Sequence, residues 1–563
     1  MSLLKEKKTD PVKRAKNRLL FALCVFLIIF TAIAFRLADL TLVNFGKETL
    51  YALTQKDPKF NGYRASILDR NGEPLALSLE LKSLYADAKL VRDPTQTAKR
   101  LKKLFPDLSE KKLEKNLKSK KRFVWIKRHL TPKQQYAVNR LGIVGLDFKD
   151  EYKRFYPQGD MTAHVIGYTN RDNRGVMGIE KSFDSVLTQD AATPITVTLD
   201  SRIQHAAHFA LNDAIKKFKA KAGAALVMHA KTGEILSLVS LPSFNPHTVS
   251  NPNDPALFNR ATLGVFEMGS TFKIFSAAAS LEKGGVKITD HFDCTKPLKY
   301  GRFTINDFHA EERVMSVPEI FMHSSNIGHV LMTRKVGTEK LQNFYRNLGL
   351  LERPEFDLPE TTSPLLPSPW REINTATASY GHGIAVSPLN LMQAAGTVIN
   401  GGFAITPHLV ERKIPLPESI LSEKTSNQIR ELLRLTVTEG TGKNSTVSGY
   451  LVGGKTGTSE KLKNGSYSKK SLISSFIGMF PMNNPEYIVY VMVDEPVGNQ
   501  SSYGYATGGW VAAPAVQSII ERIVSIMGIP PLDSQTVNAF DTNLSVRAAL
   551  PDSINISVKQ GYE

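Results

Sequence analysis

Ser270 and Lys273 stand three residues apart at the start of an apolar run, in the segment FEMGSTFKIFSAAASLEK. On a helix this spacing places two side chains on one face, within reach of a proton transfer. A serine hydroxyl is a poor nucleophile until a base takes its proton, and a lysine can do so only when it is neutral. Burial and a neighbouring cation such as Lys455 would lower the lysine pKa towards that state. The pair therefore indicates nucleophilic catalysis by a serine.

The spacing by itself is weak evidence, because the chain contains five S-x-x-K matches, which begin at Ser2, Ser109, Ser270, Ser280 and Ser466. Ser109 lies in a charged stretch, Ser466 lies in a polar turn, and Ser280 lies at the far end of the same predicted helix. Only Ser270 combines a predicted helix start with an apolar continuation that would bury the lysine. Ser270 is therefore the candidate nucleophile.

A second polar motif follows in the segment FMHSSNIGHV, where Ser324 and Asn326 form an S-x-N triplet. The triplet would present a hydroxyl and an amide to one cleft. An isolated triplet of this kind is most often a helix cap. Its significance depends on the motifs around it.

Lys455, Thr456, Gly457 and Thr458 supply a third motif in the segment GYLVGGKTGTSE, which we predict to be a strand. A cation and hydroxyls on a strand edge could bind a substrate carboxylate, and the glycines would let the substrate lie close to the strand. The backbone N–H groups of Ser270 and Thr458 could form an oxyanion hole.

The same segment also satisfies the phosphate-loop pattern G-x-x-x-x-G-K-[ST], from Gly449 to Thr456. A phosphate loop starts a helix after its lysine. Here residues 450–452 are strand formers, and Gly457 and Asn464 discourage a helix. The context therefore favours acyl transfer over nucleotide binding.

The motifs S-x-x-K, S-x-N and K-T-G, in this order, resemble those of penicillin-binding proteins and serine β-lactamases. Other segments are similar to the pedestal motifs of class B, monofunctional penicillin-binding proteins: RASILDRNGEPLA, RFYPQGDMTAHVIGYTN, GVMGIEKSFD and TLDSRIQ. Ala65 departs from the usual glycine of the first of these motifs. The pedestal residues implied by the resemblance are Arg64, Asp69, Arg70, Gly72, Arg154, Gly167 and Glu180.

The segment YGHGIAVSPL and the single-anchor layout look like the septal, division-specific peptidoglycan D,D-transpeptidase of the penicillin-binding protein 3 type. The resemblance implies that Ser270, activated by Lys273, attacks the penultimate D-alanine carbonyl of a stem peptide. Ser324 with Asn326 would relay the proton, and Lys455 would help to hold the terminal carboxylate.

The resemblance implies peptidoglycan stem peptides as substrate, β-lactams as covalent inhibitors, and a membrane glycan polymerase and other division proteins as partners. It implies no cofactor. The chain has two cysteines, Cys24 and Cys294, which excludes the usual cysteine metal sites, so we expect no metal.

The elements that must position these residues form an α+β protein. We predict a cytoplasmic basic tail at 1–18, a transmembrane helix at 19–40, a mixed α/β pedestal at 57–195, and a transpeptidase domain at 196–530 in which helices pack on an antiparallel sheet. Residues 531–563 lack a strong period and are predicted to be a loosely ordered tail.

The apolar run at 19–35 holds 17 consecutive uncharged residues, the short end of what spans a bilayer. A cleaved signal peptide is the alternative, but no convincing cleavage site ends the run. Basic residues precede it, which predicts a cytoplasmic N-terminus and a catalytic domain on the outer side of the inner membrane.

The formal net charge of +18 is concentrated in two segments. Residues 1–18 carry a net +5 and residues 99–133 a net +11. The rest of the chain is close to neutral, so the charge does not indicate nucleic-acid binding. The second patch is either a solvated helical face or a docking surface for a partner or an anionic polymer.

Four other functions compete with a septal transpeptidase. An elongation-specific class B transpeptidase would share every motif. A β-lactamase needs an efficient deacylating water and has no use for an anchor and pedestal. A non-catalytic division scaffold would not need the three motifs, and a phosphate-loop nucleotidase would bind ATP.

Overall fold

The computed structural model describes residues 11–38, 63–119, 121–412, 416–463 and 466–550. Its first helix, α1 (Pro11–Ala38), contains the predicted apolar run and begins eight residues before the predicted span 19–40. Residues 1–10 of the predicted tail, 39–40 of the predicted span and 57–62 of the predicted pedestal lie outside the described residues.

Among the described residues, one helix meets the length and hydropathy expected of a membrane span, and it is Gly508–Met527, half of whose apolar window is buried inside the protein. That helix belongs to the core. The apolar part of α1, Leu23–Ala34, is shorter than a span by the same measure, although its side chains are exposed.

The pedestal, residues 63–196, is built on a five-stranded sheet in the order β3-β2-β1-β7, with β4 also paired to β2. The strands of this sheet are β1 (Ile67–Leu68), β2 (Pro74–Ala86), β3 (Val124–Leu130), β4 (Leu146–Phe155) and β7 (Ile195–Thr196). A separate two-stranded sheet is formed by β5 (Tyr168–Thr169) and β6 (Gly175–Met177). The helices of the pedestal are α2 (Pro94–Leu104), α3 (Glu110–Leu117), α4 (Pro132–Asn139), α5 (Ala163–Ile166), α6 (Gly178–Ser182) and α7 (Asp184–Gln189).

The turn between β1 and β2 is stabilised by Asp69, whose Oδ1 accepts hydrogen bonds from the N–H groups of Asn71 and Glu73. Gly72 has φ +86°, a conformation that glycine adopts without steric cost. The segment 156–170 is mostly not a strand. It forms a 3₁₀ turn (Gly159–Met161) and α5, and only Tyr168–Thr169 are extended.

The transpeptidase domain is built on a five-stranded antiparallel sheet in the order β14-β15-β16-β8-β9. These strands are β8 (Ala222–His229), β9 (Ile235–Leu241), β14 (Gly453–Lys463), β15 (Ser466–Phe480) and β16 (Tyr487–Asp494). Four short strands form two hairpin-like pairs outside this sheet: β10 (His291–Asp293), β11 (Leu298–Tyr300), β12 (Phe303–Ile305) and β13 (Val314–Ser316).

Helices cover both faces of the transpeptidase sheet. The helices of the domain are α8 (Ser201–Lys217), α9 (Lys273–Lys283), α10 (Val317–Met322), α11 (Asn326–Val336), α12 (Thr338–Asn347), α13 (Glu372–Ala378), α14 (Pro388–Ile399), α15 (Glu423–Thr438), α16 (Gly508–Met527) and α17 (Ser534–Thr542). Helices α8 and α16 pack on one face, and α9, α14 and α15 belong to the core on the other. The predicted α+β class is confirmed.

The end of the chain is more ordered than predicted. Residues 534–542 form α17, and Asp541 makes a buried ion pair with Arg434 of α15, with Nε and Oδ1 2.7 Å apart. Val546, in the 3₁₀ turn Ser545–Ala549, is fully buried. The prediction of a loosely ordered tail is therefore wrong for residues 531–550. This segment has no strong sequence period, and a long-range ion pair and a few apolar contacts hold it instead. Residues 551–563 lie outside the described part.

Candidate active site

Ser270 lies in a 3₁₀ turn, Gly269–Phe272, that leads directly into α9. The helix start expected from the sequence is therefore present. Lys273 is the first residue of α9 and is completely buried by the apolar residues that follow it. Ser270 is partly exposed, so the hydroxyl can be reached from the cleft while the amine cannot.

The amine of Lys273 is held by the S-x-N triplet. Nζ donates to Asn326 Oδ1 at 2.7 Å, to the Ser324 carbonyl oxygen at 2.5 Å and to Ser324 Oγ at 3.1 Å. Among the described residues, Ser270 Oγ has no hydrogen-bond partner, so the direct contact between Ser270 and Lys273 expected from their spacing is not formed here. Catalytic hydrogen bonds of this kind are often long until substrate binds.

Lys455 reaches the same serine from the sheet. It lies on β14, is completely buried, and donates from Nζ to Ser324 Oγ at 2.9 Å. Ser324 Oγ thus lies between two buried amines. Burial lowers the pKa of Lys455 to about 7. Burial also lowers the pKa of Lys273 well below its usual range, and the positive charge of Lys455 lowers it further.

Asp307, which sequence reasoning missed, fixes the S-x-N triplet. Its Oδ1 accepts from the N–H groups of Asn326 at 2.5 Å and Ile327 at 3.0 Å, and its Oδ2 accepts from Ser325 Oγ at 2.6 Å. Ser324 itself has φ +58°, an unusual conformation for a residue with a side chain. The carboxylate therefore holds a strained turn that aims Ser324 and Asn326 at Lys273.

Strand β14 lies directly against the nucleophile turn. Gly269 has φ +53°, and a methyl group on it would lie 2.7 Å from the Thr458 carbonyl oxygen. A methyl group on Gly457 would collide with Ser475 Oγ and would lie 2.8 Å from the Met268 carbonyl oxygen. A methyl group on Gly454 would likewise lie 2.6 Å from the Ile477 carbonyl oxygen. The explanation that the strand's glycines make room for substrate is thus wrong for Gly454 and Gly457, which make room for neighbouring protein atoms.

The two threonines of the third motif face different groups. Thr456 Oγ1 is 2.9 Å from Thr441 Oγ1, and Thr458 Oγ1 accepts from the N–H group of Gly508 at 3.1 Å. Thr456 is 9% exposed and Thr458 is more open. Thr456 therefore contacts the loop after α15, and Thr458 contacts the start of α16.

Four residues near the mouth of the cleft were also missed by sequence reasoning: Glu267, Tyr380, His382 and Tyr467. Glu267 Oε1 accepts from the Gly383 N–H group and from Tyr467 Oη, each at 3.0 Å. The rings of Tyr380 and His382 are 5.2 Å apart. Only the position of Glu267, three residues before Ser270, could have signalled its proximity.

A pocket of about 640 Å³ lies elsewhere, between the pedestal and the transpeptidase domain. Its lining includes Met161, His205, Arg202 and Ile526 and none of the three motifs. The site is therefore identified by the convergence of polar groups and not by pocket size.

The pedestal motif residues lie apart from this cleft. Arg64 and Arg154 both pair with Glu180, at 2.8 Å and 2.6 Å, in the interior of the pedestal. Arg70 lies 3.7 Å from Glu234. Gly167 has φ +79° where its chain packs against residue 177. These residues are structural in their contacts.

The chain matches two family models. Residues 223–521 match the penicillin binding protein transpeptidase domain, and residues 59–198 match the penicillin-binding protein dimerisation domain. The chain belongs to the penicillin-binding protein transpeptidase family.

Curated relatives of this penicillin-binding protein match it over most of their length. A probable peptidoglycan D,D-transpeptidase FtsI of Caulobacter vibrioides is 37% identical over 83% of this chain and 82% of its own length. The probable peptidoglycan D,D-transpeptidase PenA of Neisseria gonorrhoeae is 33% identical over 96% of this chain and 98% of its own. FtsI of Escherichia coli K12 is 29% identical over 83% of this chain and 84% of its own.

Solved structures of penicillin binding protein 3 from Mycobacterium tuberculosis share the fold of this penicillin-binding protein. The complex with ampicillin aligns with a TM-score of 0.67 at 23% identity, over 84% of this chain and 97% of that one. The expected class B fold is confirmed.

Proposed function

We propose that this penicillin-binding protein is a septal peptidoglycan D,D-transpeptidase that acts through an acyl-enzyme on Ser270. The observation that carries the proposal is the cluster in which two buried amines, Lys273 and Lys455, meet at Ser324 Oγ beside the Ser270 turn. The names and lengths of the relatives support the same activity.

The first half-reaction is acylation by the donor stem peptide. Neutral Lys273 takes the proton of Ser270, and Ser270 Oγ attacks the penultimate D-alanine carbonyl carbon. The C–O ester bond forms, the peptide C–N bond breaks, and the proton passes through Ser324 to the departing D-alanine amine. The low pKa of Lys273 supports this role, since a protonated lysine could not act as a base.

Two further groups would stabilise the donor. The N–H groups of Ser270 and Thr458 would hold the oxyanion as the carbonyl becomes tetrahedral. Lys455, with Thr456 and Thr458 beside it, would attract the terminal carboxylate of the stem or of a β-lactam. The second half-reaction transfers the acyl group to an amine of a neighbouring stem and frees Ser270.

Labelling with fluorescent penicillin tests the chemistry. Ser270→Ala should abolish the covalent adduct, because the other hydroxyls near Lys273 are engaged, Thr271 Oγ1 with the Met268 carbonyl oxygen and Ser324 Oγ with the two amines. Ser109→Ala is the matched control, since Ser109 heads another S-x-x-K match but is exposed on the pedestal, and it should label normally. An adduct on the Ser270→Ala protein would overturn the assignment, and fast turnover of penicillin by the native protein would favour a β-lactamase.

Depletion of the protein in cells separates the two transpeptidase roles. A septal enzyme predicts long filaments, because elongation continues without division. Rounded cells would favour the elongation-specific alternative.

We further propose that α1 anchors the chain in the inner membrane, with its basic N-terminal side in the cytoplasm. The exposure of the Leu23–Ala34 side chains supports the anchor, and the excess of cations before the apolar run supports its orientation. A membrane glycan polymerase would then supply nascent strands, and the basic helices α2 and α3 are the candidate docking surface. Protease protection of tagged termini in inverted vesicles tests the orientation.

A further inference from the structure

Glu267 is a carboxylate of which only one oxygen is used. Oε1 accepts the two hydrogen bonds from Gly383 and Tyr467, whereas Oε2 is buried and has no partner among the described residues. A buried carboxylate oxygen without a partner is destabilising, because it has lost its hydration without gaining a hydrogen bond. Proteins rarely leave such an atom unpaired unless a ligand completes it.

Three aromatic side chains surround the approach to this carboxylate. The His382 ring is 5.2 Å from the Tyr380 ring and 6.1 Å from the Tyr467 ring. Burial lowers the pKa of His382, although the charges of Glu267 and Glu460 oppose the shift. A neutral imidazole does not neutralise Glu267, so the negative charge remains available. A carboxylate with aromatic faces is the chemistry that binds an alkylammonium ion.

Position links this group to the reaction centre. The Glu267 carbonyl oxygen accepts from Ser459 Oγ at 2.6 Å, which ties the residue to β14 just beyond Thr458. Glu267 also precedes the nucleophile by three residues. A cation bound to Oε2 would therefore lie at the edge of the same cleft, where Lys455 would attract only anions.

We propose that Glu267, with the rings of Tyr380, His382 and Tyr467, forms the subsite that binds the ammonium group of the acceptor stem peptide. This inference rests on the proposed function and assigns the second half-reaction, which the three motifs leave open. Glu267 would act by binding and orienting the acceptor and not by attacking the donor.

The transfer step balances with this assignment. The bound ammonium first loses one proton to water. The amine nitrogen then attacks the ester carbonyl carbon on Ser270, the C–N bond forms, and the ester C–O bond breaks. The second proton passes from nitrogen through Lys273 to Ser270 Oγ, so the enzyme returns to its starting state.

A thioester assay on the full chain in detergent separates the two half-reactions. The donor is an N-acyl-D-alanine thioester, whose nitrogen is blocked as an amide. The only ammonium group is therefore on the acceptor, Nα-acetyl-lysine amide. Glu267→Gln should raise the KM for this acceptor about tenfold or more, because a charge-assisted contact is lost. Thiol release without acceptor and penicillin labelling should stay within about twofold of the native values.

Two controls test the chemistry of the contact. Hydroxylamine is a neutral nucleophile at pH 7, so transfer to it should not depend on Glu267. Glu355→Gln removes an equal charge from an exposed site, where it pairs with Arg412, and should leave the acceptor KM unchanged. Tyr467→Ala removes one ring at the exposed mouth, and a rise in the acceptor KM is expected here as well.

The outcomes distinguish the two proposals. If the native chain forms no penicillin adduct, the proposed function fails. If it forms one but Glu267→Gln leaves the acceptor KM unchanged, or Glu355→Gln raises it equally, the subsite is wrong. Loss of penicillin labelling in Glu267→Gln would also overturn the subsite, because the residue would then support the nucleophile. An unchanged acceptor KM in Tyr467→Ala would count against the subsite as well.

Discussion

At the scale of single residues, the site depends on two amines that share one hydroxyl. Lys273 and Lys455 both donate to Ser324 Oγ and are both buried. Each amine is more easily deprotonated in the protein than in water, because burial penalises the charged form. The like charge of Lys455 adds to this effect at Lys273. The base is therefore prepared by its neighbours and not by contact with Ser270.

This arrangement predicts a pH dependence of acylation. The penicillin acylation rate should rise with pH as Lys273 loses its proton, and the affinity for the penicillin carboxylate should decline above about pH 7 as Lys455 loses its own. Lys455→Met removes the like charge, so the pKa of Lys273 rises and the ascending limb should move upward by on the order of one pH unit.

Stopped-flow measurement of the acylation rate between pH 5 and 10 gives this ascending limb. The midpoint of the limb is compared between Lys455→Met and the native chain, because the maximal rate of the variant will also fall. Lys461→Met is the matched control on the same strand, since Lys461 pairs with Asp494 and Glu495 and does not contact Ser324. An ascending limb that stays in place in Lys455→Met would contradict the coupling of the two amines.

The types and spacing of Ser270, Lys273 and Lys455 could be recognised from sequence because these residues occur in short ordered motifs. Asp307 could not, since it lies 19 residues before Asn326 and is brought to the triplet only by the strand pairs that precede α10. Glu267 was equally hidden, because one unpaired oxygen is a property of the folded cleft.

At the scale of elements, the site depends on how closely β14 approaches the nucleophile turn. A methyl group added to Gly457 would lie 2.8 Å from the Met268 carbonyl oxygen, so there is no room for a side chain at this position. Gly457→Ala should force the strand away from the turn and lower the penicillin acylation rate by about a hundredfold, since small misplacements of reacting groups are costly. Labelling kinetics on folded protein, verified by circular dichroism, measures the effect.

Gly285→Ala controls for a generic loss of glycine. Gly285 has φ +64° but nothing within 4 Å of its hypothetical methyl group, so its substitution should lower stability slightly and leave acylation unchanged. Equal acylation in Gly457→Ala and the native chain would mean that the strand and turn can separate without loss of function.

Long elements followed from the sequence, whereas short ones did not. The strand that carries Lys455 and the helical run after Ser270 were predicted because their side-chain patterns are local. The one-turn α5 and the C-terminal α17 have no such period, and they exist because buried contacts made elsewhere in the fold hold them. The Arg434–Asp541 pair is one of these contacts.

At the scale of the whole molecule, the basic patch has a simple structural basis. Lys99, Lys103, Lys111 and Lys115 lie on the exposed sides of α2 and α3, whose other sides bury Leu101, Leu113 and other apolar residues. The solvated-face interpretation accounts for this arrangement, and docking of a partner stays a prediction.

The pedestal is joined to the transpeptidase domain by one continuous core. Ile67, Leu75 and Ile179 of the pedestal belong to the same buried cluster as Phe275 and Leu389 of the transpeptidase domain. The distal part of the pedestal, around α2 and α3, has a separate core. We therefore expect the base of the pedestal to unfold together with the catalytic domain.

Glu180 tests this expectation, because it lies fully buried between Arg64 and Arg154. Glu180→Gln leaves the buried Arg154 guanidinium without its charge partner and leaves Arg64 paired with Asp184 alone, which should cost about 3–5 kcal/mol. Glu151→Gln breaks the half-exposed pair with Arg128 in the distal part and should cost about 1 kcal/mol or less. Thermal unfolding followed by circular dichroism, with penicillin labelling at each temperature, should show Glu180→Gln losing structure and labelling together at a lower temperature. Labelling that outlasts the first unfolding transition would mean instead that the catalytic domain stands without its pedestal.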